Sequence, residues 1–71
     1  MTEDKKETIY KDLGNKLKRA REEAGLTQAQ VASLAGVHVN FYARVERGEE
    51  NPTYEWLKKV NGVLKIESDL V

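Results

Sequence analysis

Residues 27–48 read TQAQVASLAGVHVNFYARVERG, and the spacing writes two short helices into them. Thr27 has the hydroxyl of a helix N-cap, and Gln30, three residues on, completes a capping box. Val31, Ala32, Leu34 and Ala35 give the first helix, residues 28–35, an apolar face, and Gly36 ends it. The second helix starts at His38 or Val39 and runs to Arg47, with Tyr42 and Val45 facing inward and Gly48 closing it. Only Gly36, Val37 and His38 join the two, so the pair must cross steeply. That crossing needs a small residue at the contact (Ala32) and a turn residue that tolerates positive φ (Gly36). It also needs apolar seals on the inner side, and Val31, Val37, Tyr42 and Val45 supply them. Each requirement alone is easily met by chance. Meeting all of them in one stretch is specific, and the geometry over 28–47 is that of a helix-turn-helix.

Working outward, Leu13, Leu17, Ala20 and Ala24 recur at i, i+4, i+7 and i+11, which predicts a helix from about Thr8 to Ala24. Residues 1–7 are nearly all charged or polar and are expected to fray. The charged extension 1–12 is thus expected to be partly disordered, with the domain proper over 13–71. After Asn51-Pro52, Thr53 is a plausible cap for a further helix whose buried stripe is Tyr54, Leu57, Val60 and Leu64. Residues 66–71 are expected to add a short final turn. No alternating β-branched run of strand length is present, so the fold class is all-α.

Composition excludes several functions. The chain has 71 residues, enough for one domain. It has no Cys and one His, His38, so neither a thiolate nor a histidine-rich metal site is available. The serines are Ser33 and Ser68, and Ser33 sits within a helical run rather than on a sharp turn. No enzyme, metal or cofactor is expected, and the length leaves no room for an effector-binding domain. No apolar run approaches the ~20 residues of a membrane span, and the charged first dozen residues do not resemble a signal peptide. A cytoplasmic protein, nucleoid-associated when bound to DNA, is expected. Twelve basic and twelve acidic residues give zero net charge, but the sum hides a gradient. Residues 15–48 carry six cations and three carboxylates, whereas residues 1–14 and 49–71 are each net negative. Neutrality overall argues for weak non-specific binding, not against specific binding.

The stretch LKRAREEAGLTQAQVA (residues 17–32), then Gly36-Val37, RVERG (residues 44–48) and Asn51-Pro52, resembles the phage Cro and cI repressor type of helix-turn-helix domain, the XRE family. The resemblance covers about residues 13–66. It implies a compact four- to five-helix, lambda-repressor-like domain that binds palindromic operator DNA as a homodimer, most simply a repressor. It further implies that Gln28 and Thr27 meet DNA at the start of the first motif helix. Val39, Asn40 and Arg44 would read base edges: Asn suits adenine, Arg suits guanine and Val suits the thymine methyl. Phe41 would touch thymine methyls or sugars, or fold back onto the domain. Arg47 would contact a phosphate, and His38 would cap its helix with a phosphate contact second. Arg21 and Glu46 would pair architecturally and fix the angle of the reading helix. Trp56, Leu64, Ile66 and Leu70 would supply the dimer surface. Two positions depart from the pattern: Tyr42 stands where an aliphatic residue is usual, and Asn61 where a small apolar one is. The alternative is an antitoxin or protein-interaction module that uses the same domain mainly to bind a protein partner. The sequence offers the acidic tail 67–71 as the feature that separates the two.

Overall fold

A computed structural model of the chain describes residues 2–65, with side chains from Thr8 onward. Four helices follow in order: α1 (Thr2–Glu23), α2 (Gln28–Ala35), α3 (Val39–Glu46) and α4 (Tyr54–Leu64). Among the described residues the regular structure is entirely helical. The expected final turn over 66–71, with Ile66 and Leu70, lies outside them.

The boundaries follow local chemistry. The Thr27 hydroxyl accepts from the Gln30 amide (3.1 Å) while the Gln30 side chain accepts from the Thr27 N–H (2.8 Å), so both halves of the capping box form. His38 caps α3, its Nδ1 accepting from the Asn40 N–H at 3.2 Å. Thr53 caps α4 through the Trp56 N–H at 3.1 Å. Gly36 ends α2 in the left-handed conformation, and Val37 N–H donates back to the Ala32 carbonyl at 2.9 Å. Helix α1 starts at Thr2, six residues before the expected start near Thr8. Residues 2–12 lie within this helix. No Pro or Gly interrupts them, and Arg21 in the last turn complements the helix dipole.

Leu17, Val31, Ala32, Tyr42, Val45, Val60 and Leu64 form the buried centre. Leu13, Ala20, Leu26, Val37, Phe41, Trp56 and Leu57 pack around it. Helix α1 lies against α3 and α4, and α2 against the same two.

Three expected core assignments are corrected. Leu34 is 66% exposed: α2 is gripped along the arc of Val31, Ala35 and Ala32, and at ~100° per residue Leu34 falls about 60° outside it. Tyr54 is 61% exposed, because the inner stripe of α4 is Leu57, Val60, Asn61 and Leu64, one turn further on. The Lys58 ammonium lies over its ring instead, 5.7 Å from the centroid. Ala24 is exposed in the α1–α2 turn. Leu64, expected on a dimer surface, is 8% exposed and belongs to this chain's own core.

Gly14 was not given a role by the sequence pattern. It is buried where α1 crosses the end of α3, and a Cβ there would overlap the carbonyl oxygens of Val45 and Glu46. Only a residue without a side chain lets the two backbones approach so closely.

Candidate nucleic-acid interface

Helix α3 is buried along Tyr42, Val45 and Glu46. At ~100° per residue, the opposite arc carries Arg47, Asn40 and Arg44, while Val39 lies at its edge, about 20° from Glu46. Val39, Asn40, Arg44 and Arg47 are all exposed, and the last three share one face. Phe41 lies on the flank. Its ring packs edge-on against Trp56, with centroids 5.4 Å apart, and Trp56 also stacks on Tyr42 at 6.0 Å. Of the two roles expected for Phe41, folding back onto the domain is the one this packing favours. Trp56 is half-buried in the same aromatic cluster.

The exposed face is held in place from behind. Arg21 donates to the two carboxylate oxygens of Glu46, Nε to Oε2 at 2.7 Å and Nη2 to Oε1 at 3.2 Å. Its Nη1 donates to the Leu26 carbonyl at 3.0 Å. The side chains are 13% and 3% exposed, so the expected pair forms and is buried. A bidentate fork of this kind fixes orientation as well as distance. Gln28, expected at the DNA backbone, also donates from Nε2 to Glu46 Oε1 at 2.9 Å. One carboxylate therefore ties together the end of α1, the first residue of α2 and the end of α3. The sequence reading missed the Gln28 tie, since the two residues lie 18 apart and no local spacing signals their contact.

Electrostatics follow from this geometry. Burial pushes the Glu46 carboxyl up, but the bonds from Arg21 and Gln28, the nearby Tyr42 hydroxyl and the Arg21 charge outweigh it and hold it below the usual carboxylate range. The bond to Glu46 raises Arg21. Burial, then proximity to Glu46, pushes the Tyr42 phenol well above its ordinary value. The Tyr42 hydroxyl lies by that carboxylate without a hydrogen bond of good geometry. A cleft opens beside this clamp, where Lys11, Asn15 and Lys18 of α1 face Gln28 and Arg47. Their i, i+4, i+7 spacing put them on one face of α1, but nothing in the sequence joined that face to Gln28. The two arginines on the exposed face are also paired: Arg44 Nη1 with Glu50 Oε2 at 3.2 Å, and Arg47 with both oxygens of Glu49 at 3.0 and 3.1 Å.

A short second helix crossed by a third, with polar side chains along the outer face of the third, is matched over residues 12–61 by the family described as "Helix-turn-helix domain". The chain belongs to this helix-turn-helix family. Relatives carry the same stamp. The HTH-type transcriptional regulator SinR of Bacillus subtilis (strain 168) is 33% identical over 55 residues, covering 76% of this chain and 50% of SinR. The immunity repressor protein of Bacillus phage phi105 is 36% identical over 55 residues, 78% of this chain and 38% of the repressor. The HTH-type transcriptional regulator y4dJ of Sinorhizobium fredii is 38% identical over 63 residues, 83% of this chain and 80% of y4dJ. The helix-turn-helix chain thus spans half or less of SinR and the phage repressor. Among the described residues, no helix is long and apolar enough to cross a membrane.

Proposed function

We propose that this helix-turn-helix chain is a sequence-specific binder of duplex DNA that regulates transcription, as a repressor on a palindromic operator. One observation carries the reading: Val39, Asn40, Arg44 and Arg47 are exposed together on α3 while a buried clamp at Glu46 fixes that helix to α1 and α2. Preorganised side chains of these types match base edges and phosphates. The start of α2 at Thr27 and Gln28, the His38 cap and the cationic cleft at Lys18 and Arg47 suit the flanking backbone.

One reading helix spans only a few base pairs, so selectivity calls for two subunits, with half-sites about one helical turn, ~34 Å, apart. With Leu64 in the core, the dimer surface falls to Trp56 and to Ile66 and Leu70, which lie outside the described residues. Sedimentation with DNA reads the stoichiometry: two chains per palindrome are expected, and one chain on a single half-site at saturation contradicts the dimer.

Selection from random duplex DNA tests the whole reading. An enriched palindrome is expected, with log affinity falling against log salt by roughly 0.9 per phosphate neutralised. Equal affinity for every sequence near physiological salt refutes it.

A further inference from the structure

The chain reverses just after α3, and the reversal places two carboxylates against the two exposed arginines. Gly48, at φ 78°, lets the Glu49 N–H donate to the Arg44 carbonyl at 2.9 Å. An L side chain there would be strained and would run into Lys11. The closed turn places Glu49 and Glu50 beside the last turn of α3, within reach of its arginines.

The two pairs differ in geometry. Glu49 engages Arg47 at Nε and Nη2, covering one whole edge of the guanidinium. Glu50 takes only Nη1 of Arg44, one N–H of five, and leaves the Nε–Nη2 edge for a further acceptor. We propose that Glu50 is a specificity-determining positioning residue: it orients Arg44 toward a base edge and turns phosphates away from it. This rests on the DNA reading above and deepens it.

The argument is electrostatic. A phosphate approaching Arg44 brings a full negative charge close to the Glu50 carboxylate, and the like charges repel. A guanine edge brings only the partial charges of O6 and N7, which the open side of the guanidinium can meet bidentately. Glu50 therefore penalises the contact that every DNA sequence offers and spares the contact that only one base offers. Glu49 acts differently. It holds Arg47 directly and reaches Arg44 only through space, so it competes with any phosphate for Arg47 and lowers affinities far more evenly than Glu50 does.

Glu49 is thus a built-in control. Wild type, Glu50→Gln and Glu49→Gln are each titrated with the duplex enriched by selection and with a random-sequence duplex of equal length, at one salt concentration. Glu49→Gln is expected to tighten both duplexes by a similar factor. Glu50→Gln is expected to tighten the random duplex by roughly two- to fivefold, the scale of an exposed ion pair, but not the enriched one. Repeating the selection with Glu50→Gln should weaken the preference for guanine opposite Arg44 by a similar factor. Glu50→Asp keeps the charge and should keep most of the wild-type ratio. Thermal unfolding should be nearly unchanged in all three variants, because these side chains are a third or more exposed, apart from Glu50 itself at 32%. The proposal is overturned if Glu50→Gln changes the affinity ratio no more than Glu49→Gln does. A wild type that binds no DNA refutes the DNA reading itself, and this role with it.

Discussion

Arg21–Glu46 and Arg44–Glu50 are the same chemistry at opposite depths. The first pair is 13% and 3% exposed and its carboxylate also holds Gln28; the second is 50% and 32% exposed and holds one contact. Removing one partner from the buried pair strands a charge away from water, whereas water takes up the released charge at the surface. Burial thus makes one pair a fastener of the fold and leaves the other able to exchange its partner for DNA.

The largest expected effect breaks the buried side of this comparison. Glu46→Ala or Arg21→Ala should destabilise the domain by up to ~3–5 kcal/mol, whereas Glu50→Ala should cost within ~1 kcal/mol. Urea unfolding with a double-mutant cycle on Arg21 and Glu46 measures it, and zero coupling would dissolve the distinction.

Next come the arginines of the exposed face. Arg44→Ala should weaken binding to the selected duplex by ~1–3 kcal/mol and relax preference at one position per half-site. Arg47→Ala should weaken all duplexes alike and flatten the salt slope by about one unit per subunit. If Arg44→Ala keeps the full sequence preference, Arg44 is a phosphate contact, and readout passes to Val39 and Asn40.

Acid separates the two depths through linkage. The Glu46 carboxyl is held below its unfolded value, itself near ~4.3, so its stabilisation is complete above that value and is lost as pH falls through the lower folded one. Stability against pH in the acid range should therefore fall less steeply in Glu46→Gln than in wild type. Equal slopes would mean that the clamp contributes nothing through ionisation.

The smallest effect asks whether depth or partnership matters. Asn61 is 6% exposed, and both polar atoms of its amide lack a hydrogen bond. Asn61→Leu should therefore be neutral or gain about 1 kcal/mol, unlike any change at Glu46. A loss would reveal a partner for the amide.

Much was legible in local spacing. The capping box at Thr27 and Gln30, the caps at His38 and Thr53, and the turn at Gly36 depend on residues two to five apart. Each is readable because the hydrogen bond that makes it spans at most five residues of chain. The outward face of α3 follows from the same periodicity. Periodicity failed where it had to choose which apolar residue stays outside. Leu34 lies just outside the one arc of α2 that neighbours cover, whereas Tyr54 lies on the covered arc of α4 but one turn before its neighbours begin.

The sequence by itself determined α2, α3 and α4, their caps and the short join between α2 and α3, since these arise from bonds and dihedral preferences within a few residues. The Arg21–Glu46 pair needed the resemblance as well, because its partners lie 25 residues apart. Only the tertiary structure decided that Gln28 joins that clamp, that Gly14 admits the α3 backbone, and that Leu34 and Tyr54 stay outside. It also brought Glu49 and Glu50 back onto the arginines of α3. Contacts between distant residues depend on how elements stack, and stacking is set by the whole core at once rather than by any one stretch of chain.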